Sequence, residues 1–257
     1  VIDISNDEPA ELSRWSLIDA DESYSTVSPN LWPLHDVYVQ NGVAYLSYWE
    51  AGAWLVDVSD PANPTALSNV GEYDQEQLRE LNLQDYVTPP GNAHYAQVNE
   101  DGTVLAVGAE AWSTDGADGI IGGAGGVNLY DISDKSNPSH LSTIEPPASY
   151  SQKRGGWFTT AHNLDFNGDR MYTSWYYGGV KIHDVSDPAN PVQLAWWRDP
   201  NEAAFWTAQS AGDAFVASSL DTSILVGNPP SQTREALYVF HDTIATQENP
   251  PSLEQPP

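Results

Sequence analysis

Apolar and polar residues alternate with a period of two through most of this chain. The runs are short and are broken by Gly, Pro, Asn and Asp. That pattern predicts short, half-buried β-strands joined by tight turns. It is plainest between residues 36 and 70. Asp36 to Gln40 is a first strand, and Asn41-Gly42 is a hairpin turn signal, because a type I′ turn needs positive φ at both central positions. Val43 to Trp49 follows, Glu50-Ala-Gly52 turns the chain, and Ala53 to Val58 is a third strand. Thr65 to Val70 is a fourth.

The same four-strand pattern returns. A second unit has strands at 93–98, 103–108, 127–132 and 140–144, and a third at 162–166, 170–176, 179–185 and 192–197. A fourth begins at 204–210, continues at 214–219 and reaches 236–240. The N-terminus adds two strands, Val1 to Ile4 and Glu11 to Ile18. One short helix is expected at Gln75 to Leu81.

Between the third and fourth strands the chain repeats itself letter for letter. Asp57-Val-Ser-Asp-Pro-Ala-Asn-Pro64 recurs at Asp184-Val-Ser-Asp-Pro-Ala-Asn-Pro191. Asp131-Ile-Ser-Asp-Lys-Ser-Asn-Pro138 is a close variant, and Asp3-Ile-Ser-Asn-Asp-Glu-Pro-Ala10 a worn one. Successive copies start 54, 74 and 53 residues apart. A period near fifty with four short antiparallel strands per unit predicts an all-β propeller of four-stranded blades. The motif itself is a turn: Asp and Ser bond neighbouring amides, and the prolines cannot continue a central ladder. Asp57, Asp131 and Asp184 are therefore read as turn caps.

The expected layout is a propeller over residues 1–248 and a Pro-rich linker at 249–257. It has a partial blade at 1–18, blades at about 35–71, 93–145 and 161–198, and a partial blade at 204–241. The strands number seventeen, one more than four whole blades. This points to the C-terminal part of a larger propeller.

The third-strand signature, standing as Trp54-Leu-Val-Asp-Val-Ser-Asp-Pro-Ala-Asn-Pro64 and Val180-Lys-Ile-His-Asp-Val-Ser-Asp-Pro-Ala-Asn-Pro191, resembles the LVIVD repeat. The resemblance implies a β-propeller of the kind found in bacterial and archaeal proteins, often exported or surface-anchored. It implies no particular activity, because fold does not confer one.

Charge narrows the setting. Nine Lys and Arg face 36 Asp and Glu among 257 residues, a formal charge of −27, spread along the chain. No basic patch can form, so nucleic acid is excluded as an expected partner. Lysine is confined to Lys135, Lys153 and Lys181. The combination resembles a haloarchaeal protein working in concentrated salt, outside the cell or on its surface. There is no cysteine, hence no disulfide or thiolate chemistry. No apolar run is long enough to span a membrane.

Candidate chemistry follows from using the motif as a ruler. His35 lies 22 residues before Asp57, and His162 lies 22 before Asp184. His94 lies 37 before Asp131, a gap lengthened by the glycine-rich insertion 113–126. All three open a blade's first strand, the one lining a propeller's channel. They are expected to face one mouth together, as ligands for zinc, copper or iron, or else as plain hydrogen-bonding residues. Phe205-Trp206 takes the matching place in the fourth unit. His140, His183 and His241 fall outside this register, and His183 is expected at a partly exposed sheet position.

Aromatics gather where second strands end, at Tyr48-Trp49, Trp112 and Trp175-Tyr176-Tyr177, with Glu50 and Glu110 beside them. They suit blade packing, or a mouth that stacks on a protein, glycan or small-molecule ligand. The glycine-rich loop lacks the Lys-Ser/Thr ending of a phosphate-binding loop, and there is no nucleophile elbow or His-Glu-x-x-His pattern. The pattern favours a binding or scaffold module, with a metal-dependent enzyme as the alternative.

Charge generates the first prediction. Raising salt from about 0.1 M to about 1 M shortens the screening length from about 10 Å to about 3 Å and relieves self-repulsion. The melting temperature is expected to rise strongly across that range. Equal melting temperatures would remove the case for a halophilic protein.

Overall fold

The computed structural model describes residues 1–5, 7–27, 29, 32–71, 92–110, 125–146, 159–199, 203–212, 214–220 and 235–241. The expected helix at 75–81, the insertion up to Ala124, Trp112 and the linker at 249–257 lie outside them.

The architecture is an all-β propeller built of four-stranded antiparallel blades. Residues 1–26 come first: β1 (Ile2–Asp3), β2 (Ala10–Glu11), a helical turn α1 (Leu17–Ala20) and a 3₁₀ turn at Glu22–Thr26. The first blade is β3 (Asp36–Gln40), β4 (Val43–Ser47), β5 (Ala53–Asp57) and β6 (Thr65–Val70). The second is β7 (Ala93–Val98), β8 (Val104–Ala109), β9 (Val127–Asp131) and β10 (Ser139–Ile144). The third is β11 (Leu164–Asn167), β12 (Arg170–Ser174), β13 (Val180–Asp184) and β14 (Val192–Trp197). In these blades the strands pair in sequence order. The fourth sheet holds β15 (Ala204–Phe205), β16 (Gln209–Ala211), β17 (Ala214–Leu220) and β18 (Leu237–His241). Here β15 and β16 pair with opposite ends of β17, so one inner strand is broken in two.

The expected strands agree with these to within one or two residues over the first three blades. Asn41 and Gly42 do take positive φ, 50° and 78°, as the hairpin needs. A Cβ at Gly42 would meet the Ser59 Cβ at 3.2 Å, so glycine also lets the turn nest against the motif. In all three blades the third and fourth strands slip register once, at Leu55/Val56, His140/Ser142 and Ile182/His183. Such a bulge bends the outer strand and raises its twist.

Two expectations are corrected. The strand predicted at 11–18 ends at Glu11, and Leu17–Ala20 is helical. The Asp19 carboxylate accepts from both the Ser16 amide and hydroxyl at 2.8 Å, which starts a helical turn instead of extending the strand. The single strand predicted at 204–210 is interrupted around Trp206.

Each blade hides its faces against its neighbours. One apolar cluster joins blades one and two through Tyr45, Leu55, Val98 and Leu105. A second joins blades two and three through Leu129, Leu164 and Trp175, and a third joins blades three and four through Tyr172, Phe205 and Phe215. The outer face of blade one is capped by Leu17 and Tyr24, both fully buried, with Trp54 and Val56 beneath. Burial of a large apolar side chain is worth about 1.5–3 kcal/mol, so these interfaces set the stacking of blades.

The repeated motif has two jobs. Within a blade it is a turn: the carboxylates of Asp57, Asp131 and Asp184 accept from the amides of Ser59, Ser133 and Ser186 at 2.8–2.9 Å. These bonds hold each carboxyl below its usual pKa. Between blades it is a latch. Ser13 donates to the Pro61 carbonyl, Ser68 to that of Lys135 and Ser142 to that of Pro188, each at 2.6 Å. In every case a Leu-Ser pair from one unit reaches the fifth residue of the next motif. Residues 1–13 thus reproduce the outer half of a blade.

The latch is testable. Ser68→Ala and Ser142→Ala are each expected to cost about 1 kcal/mol in denaturant unfolding, and additively, because they lie in separate interfaces. Unchanged unfolding midpoints in both would show that the apolar clusters alone hold the blades.

Candidate functional site

His35, His94, His162 and Trp206 occupy one position of the repeat, at or just before the inner strand in the first three blades and at the break in the inner strand of the fourth sheet. Three share one backbone bond: the amides of His35, His162 and Trp206 donate to the carbonyls of Ser47, Ser174 and Ser218 at 2.8–2.9 Å. His94 differs by a bulge, since the pairing of β7 with β8 slips between Ala93 and Tyr95. The bulge re-aims its side chain. The four rings form a continuous row, with centroids 3.9 Å apart for His35–His94, 4.3 Å for His94–His162 and 3.9 Å for His162–Trp206. His35 and Trp206 end the row at solvent, while His94 and His162 are each only 2% exposed.

Carbonyls of the next blade orient the rings. His35 Nδ1 donates to the His94 carbonyl at 2.9 Å, and His162 Nδ1 to the Trp206 carbonyl at 2.6 Å. A carbonyl only accepts, so these nitrogens carry the proton. Burial holds His162 at a pKa of about 4, so its ring is neutral and Nε2 is a bare lone pair. That Nε2 has no hydrogen-bond partner. His94 is driven lower, to about 2, by burial and then by the charges His162 and His35 would carry. The His162 backbone lies beside the His94 ring, yet His94 Nδ1 makes no well-formed hydrogen bond.

A second position of the repeat completes the site. Trp49, Glu110 and Tyr176 each come two residues after the last of Ser47, Gly108 and Ser174 to pair with a third strand. Trp49 and Tyr176 hold positive φ, 45° and 46°, an uncommon and strained setting for aromatics. Each is locked there by two backbone bonds to the next blade, at Ala93 and Phe205. Trp49 stands edge-on to His35 and His94, and Tyr176 edge-on to His162 and Trp206.

Blade two departs from this pattern. Its residue is a carboxylate, Glu110, 2% exposed, with Oε2 3.3 Å from His94 Nε2. The Tyr176 hydroxyl donates to its other oxygen. Burial, the Glu110 charge and this bond push the tyrosine pKa far up, so it stays a neutral donor.

The sequence-predicted histidines are thus gathered in one row. Among the described residues, the donor atoms that lie within 4.8 Å of one another are those of His94, Glu110 and His162. His35 contributes a ring packed at a tilt against His94 instead. Glu110 was visible in sequence as an acid ending a second strand, but not as the partner of two histidines. Glu50, also noted there, is 6% exposed, and burial raises its pKa to about 7.

The other histidines are elsewhere. His140 bonds Thr143 at 3.0 Å on the outer strand. His183 corrects an expectation: it is 4% exposed, not partly exposed. It shares a face of β13 with Lys181, whose ammonium sits 4.6 Å over Trp175 and donates to the Glu145 carbonyl. Burial, then the Lys181 charge, lowers the His183 pKa to about 3, and its Nδ1 has no partner.

Comparison with known proteins agrees with the architecture. The LVIVD repeat family model matches residues 34–72, which supports a repeat β-propeller family. The computationally designed Ika4 protein is similar in structure, with a TM-score of 0.51, 10% identity, and coverage of 82% of this chain and 91% of that one. A protein from Lactobacillus plantarum reaches a TM-score of 0.49 at 12% identity, covering 82% of this chain and 58% of its own. No curated protein matches the chain. Among the described residues no helix is long and apolar enough to cross a membrane.

His183 gives a signed pH prediction. Its folded pKa lies below the unfolded value near 6.5, so the unfolded chain binds the extra proton between pH 6.5 and about 3, and stability falls as pH drops through that window. Relative to His183→Leu, the natural protein is expected to lose about 2 kcal/mol more between about pH 7.5 and about pH 5. Parallel urea midpoints for the two proteins would show that His183 ionises freely in the fold.

Proposed function

We propose that this chain is a β-propeller binding module that takes its ligand at the mouth marked by His35, His94, His162 and Trp206. The observation that carries this reading is the convergence of polar groups lacking protein partners at one buried place. His162 Nε2 and His94 Nδ1 are both buried and unpartnered, and the Glu110 carboxylate lies 3.3 Å from the other His94 nitrogen, Nε2. Buried polar atoms are ordinarily satisfied, so a cluster that is not points to a missing partner. The strained aromatics Trp49 and Tyr176 wall the same place, and strain of that kind gathers at ligand clamps.

The wider setting belongs to the same reading. The likeness to LVIVD repeats supports a scaffold or binding role for the propeller; a place at the cell surface or outside it is part of the proposal. The net charge of −27 supports work in concentrated salt and disfavours nucleic acid as a partner. A protein, a glycan or a small molecule would each meet aromatic edges and hydrogen-bond acceptors here. A catalytic reading of the mouth gains one specific observation, the carboxylate of Glu110 among the histidines.

A thermal-shift panel of first-row metal ions, oligosaccharides and small aromatic acids tests the site. At least one member is expected to raise the melting temperature of the natural protein. A shift from an organic member should shrink or vanish in the rim variant His35→Ala/Trp206→Ala, and a shift from a metal ion in Glu110→Gln. An inert panel, or shifts that survive these variants unchanged, would remove the mouth as the binding site.

A further inference from the structure

We propose that His94, Glu110 and His162 hold a divalent first-row transition-metal ion, which deepens the binding reading above and rests on it. Two imidazole nitrogens and one carboxylate oxygen form a donor set suited to such ions, and three protein ligands leave positions open for water or ligand. The three donor atoms lie within 4.8 Å of one another. Bonds of about 2.1 Å to a common ion need each donor to move inward by less than about 1 Å.

The hydrogen bonding of the site is incomplete without a cation. His162 can present only Nε2 to the centre, because the Trp206 carbonyl holds its Nδ1 proton at 2.6 Å. That lone pair has no donor. His94 has no satisfactory tautomer. With the proton on Nδ1, a lone pair on Nε2 faces the Glu110 oxygen at 3.3 Å. With the proton on Nε2, a buried lone pair is stranded at Nδ1, beside the His162 backbone. A metal ion at Nε2 of both rings would take the His162 lone pair and the His94 lone pair that faces Glu110, and would neutralise the carboxylate, with the His94 Nδ1 proton left toward the His162 backbone.

The repeat itself separates this from a packing role. A packing residue would recur in kind, and in blades one and three the second position is indeed aromatic, Trp49 and Tyr176. Only blade two, whose position falls between the two buried histidines, carries an acid there. Tyr176 then acts as a positioning residue: its hydroxyl fixes the Glu110 carboxylate, as hydrogen bonds to ligating carboxylates commonly do. His35, exposed and bonded through Nδ1, lies outside the ligand set.

The test uses the full chain, folded in high salt, stripped with chelator and titrated with Co²⁺ and Zn²⁺. One ion per chain is expected, with Co²⁺ giving visible ligand-field bands. Glu110→Gln, close in shape, should bind at least 100-fold more weakly, and Tyr176→Phe about 10–100-fold more weakly. His140→Ala, on the outer strand, should bind one ion with an unchanged Co²⁺ spectrum, and circular dichroism of the apo variants confirms their fold. Equal affinity in the natural protein and Glu110→Gln would overturn the site, as would loss of binding in His140→Ala. Absence of any metal binding also overturns it. In that case an organic ligand lost in the rim variant would leave the mouth standing as a binding site, and no mouth-dependent ligand of any kind would remove both.

Discussion

A single blade cannot bury its own two faces, and the rest of the molecule follows from that. Each sheet must be stacked on the next, so the starts of successive inner strands are brought side by side. The hydrogen bonds that finish the stacking then cross from blade to blade: serine to motif carbonyl at the outer strands, and Gln97 and Ser210 both donating to Asp165 along the inner strands. At one mouth the crossing group is a histidine Nδ1, donating to a carbonyl of the next blade. The same bond that ties blades together therefore sets the tautomer and aims the other nitrogen inward. Structure and candidate chemistry share one interaction, which is why a repeat residue of structural origin can carry a site.

Much of this was legible from spacing. The motif located the turns, the turns located the strands, and counting back from Asp57 and Asp184 placed His35 and His162 in one register. Symmetry made that possible, since a period carries the same residue to the same place. What stayed hidden is what breaks the symmetry. His94 joined the ring only by allowing for an insertion before Asp131, and the bulge it sits in was beyond any count. Glu110 looked like an isolated acid because its meaning lies in what it replaces, an aromatic in the two neighbouring blades. The helical turn at Leu17–Ala20 was hidden for a different reason. A local bond from Ser16 to Asp19 outweighed an alternating pattern too short to hold a strand without a ladder partner. His183 was misjudged because periodicity says which face a residue takes, while a neighbouring blade decides whether that face is covered.

The strained aromatics show how the mouth is kept rigid. A positive φ at a bulky residue costs of order 1–3 kcal/mol and persists only where surroundings over-determine it. At Trp49 and Tyr176 the surroundings are two backbone bonds to the next blade and edge-on contacts to two rings. Those contacts immobilise the histidines without competing for their nitrogens. Rigid rings with unused lone pairs have little ordering left to undergo on binding, and that is the condition under which a small donor set binds tightly.

The heavy negative charge bears on this site less directly than its size suggests. An acidic surface raises the local concentration of cations in dilute buffer, because its potential extends about a screening length into solution. In molar salt that length falls to about 3 Å, and surface carboxylates then discriminate little between a transition ion and the sodium around them. A binding site that must work in such a medium has to rely on donors removed from it. His94, Glu110 and His162 meet that requirement: each is about 2% exposed, and two of the three are nitrogen donors, which alkali ions take poorly. On the proposed reading the outer acids would answer to salt and solubility, while selectivity would rest with a buried pair of histidines and one carboxylate that a tyrosine holds in place.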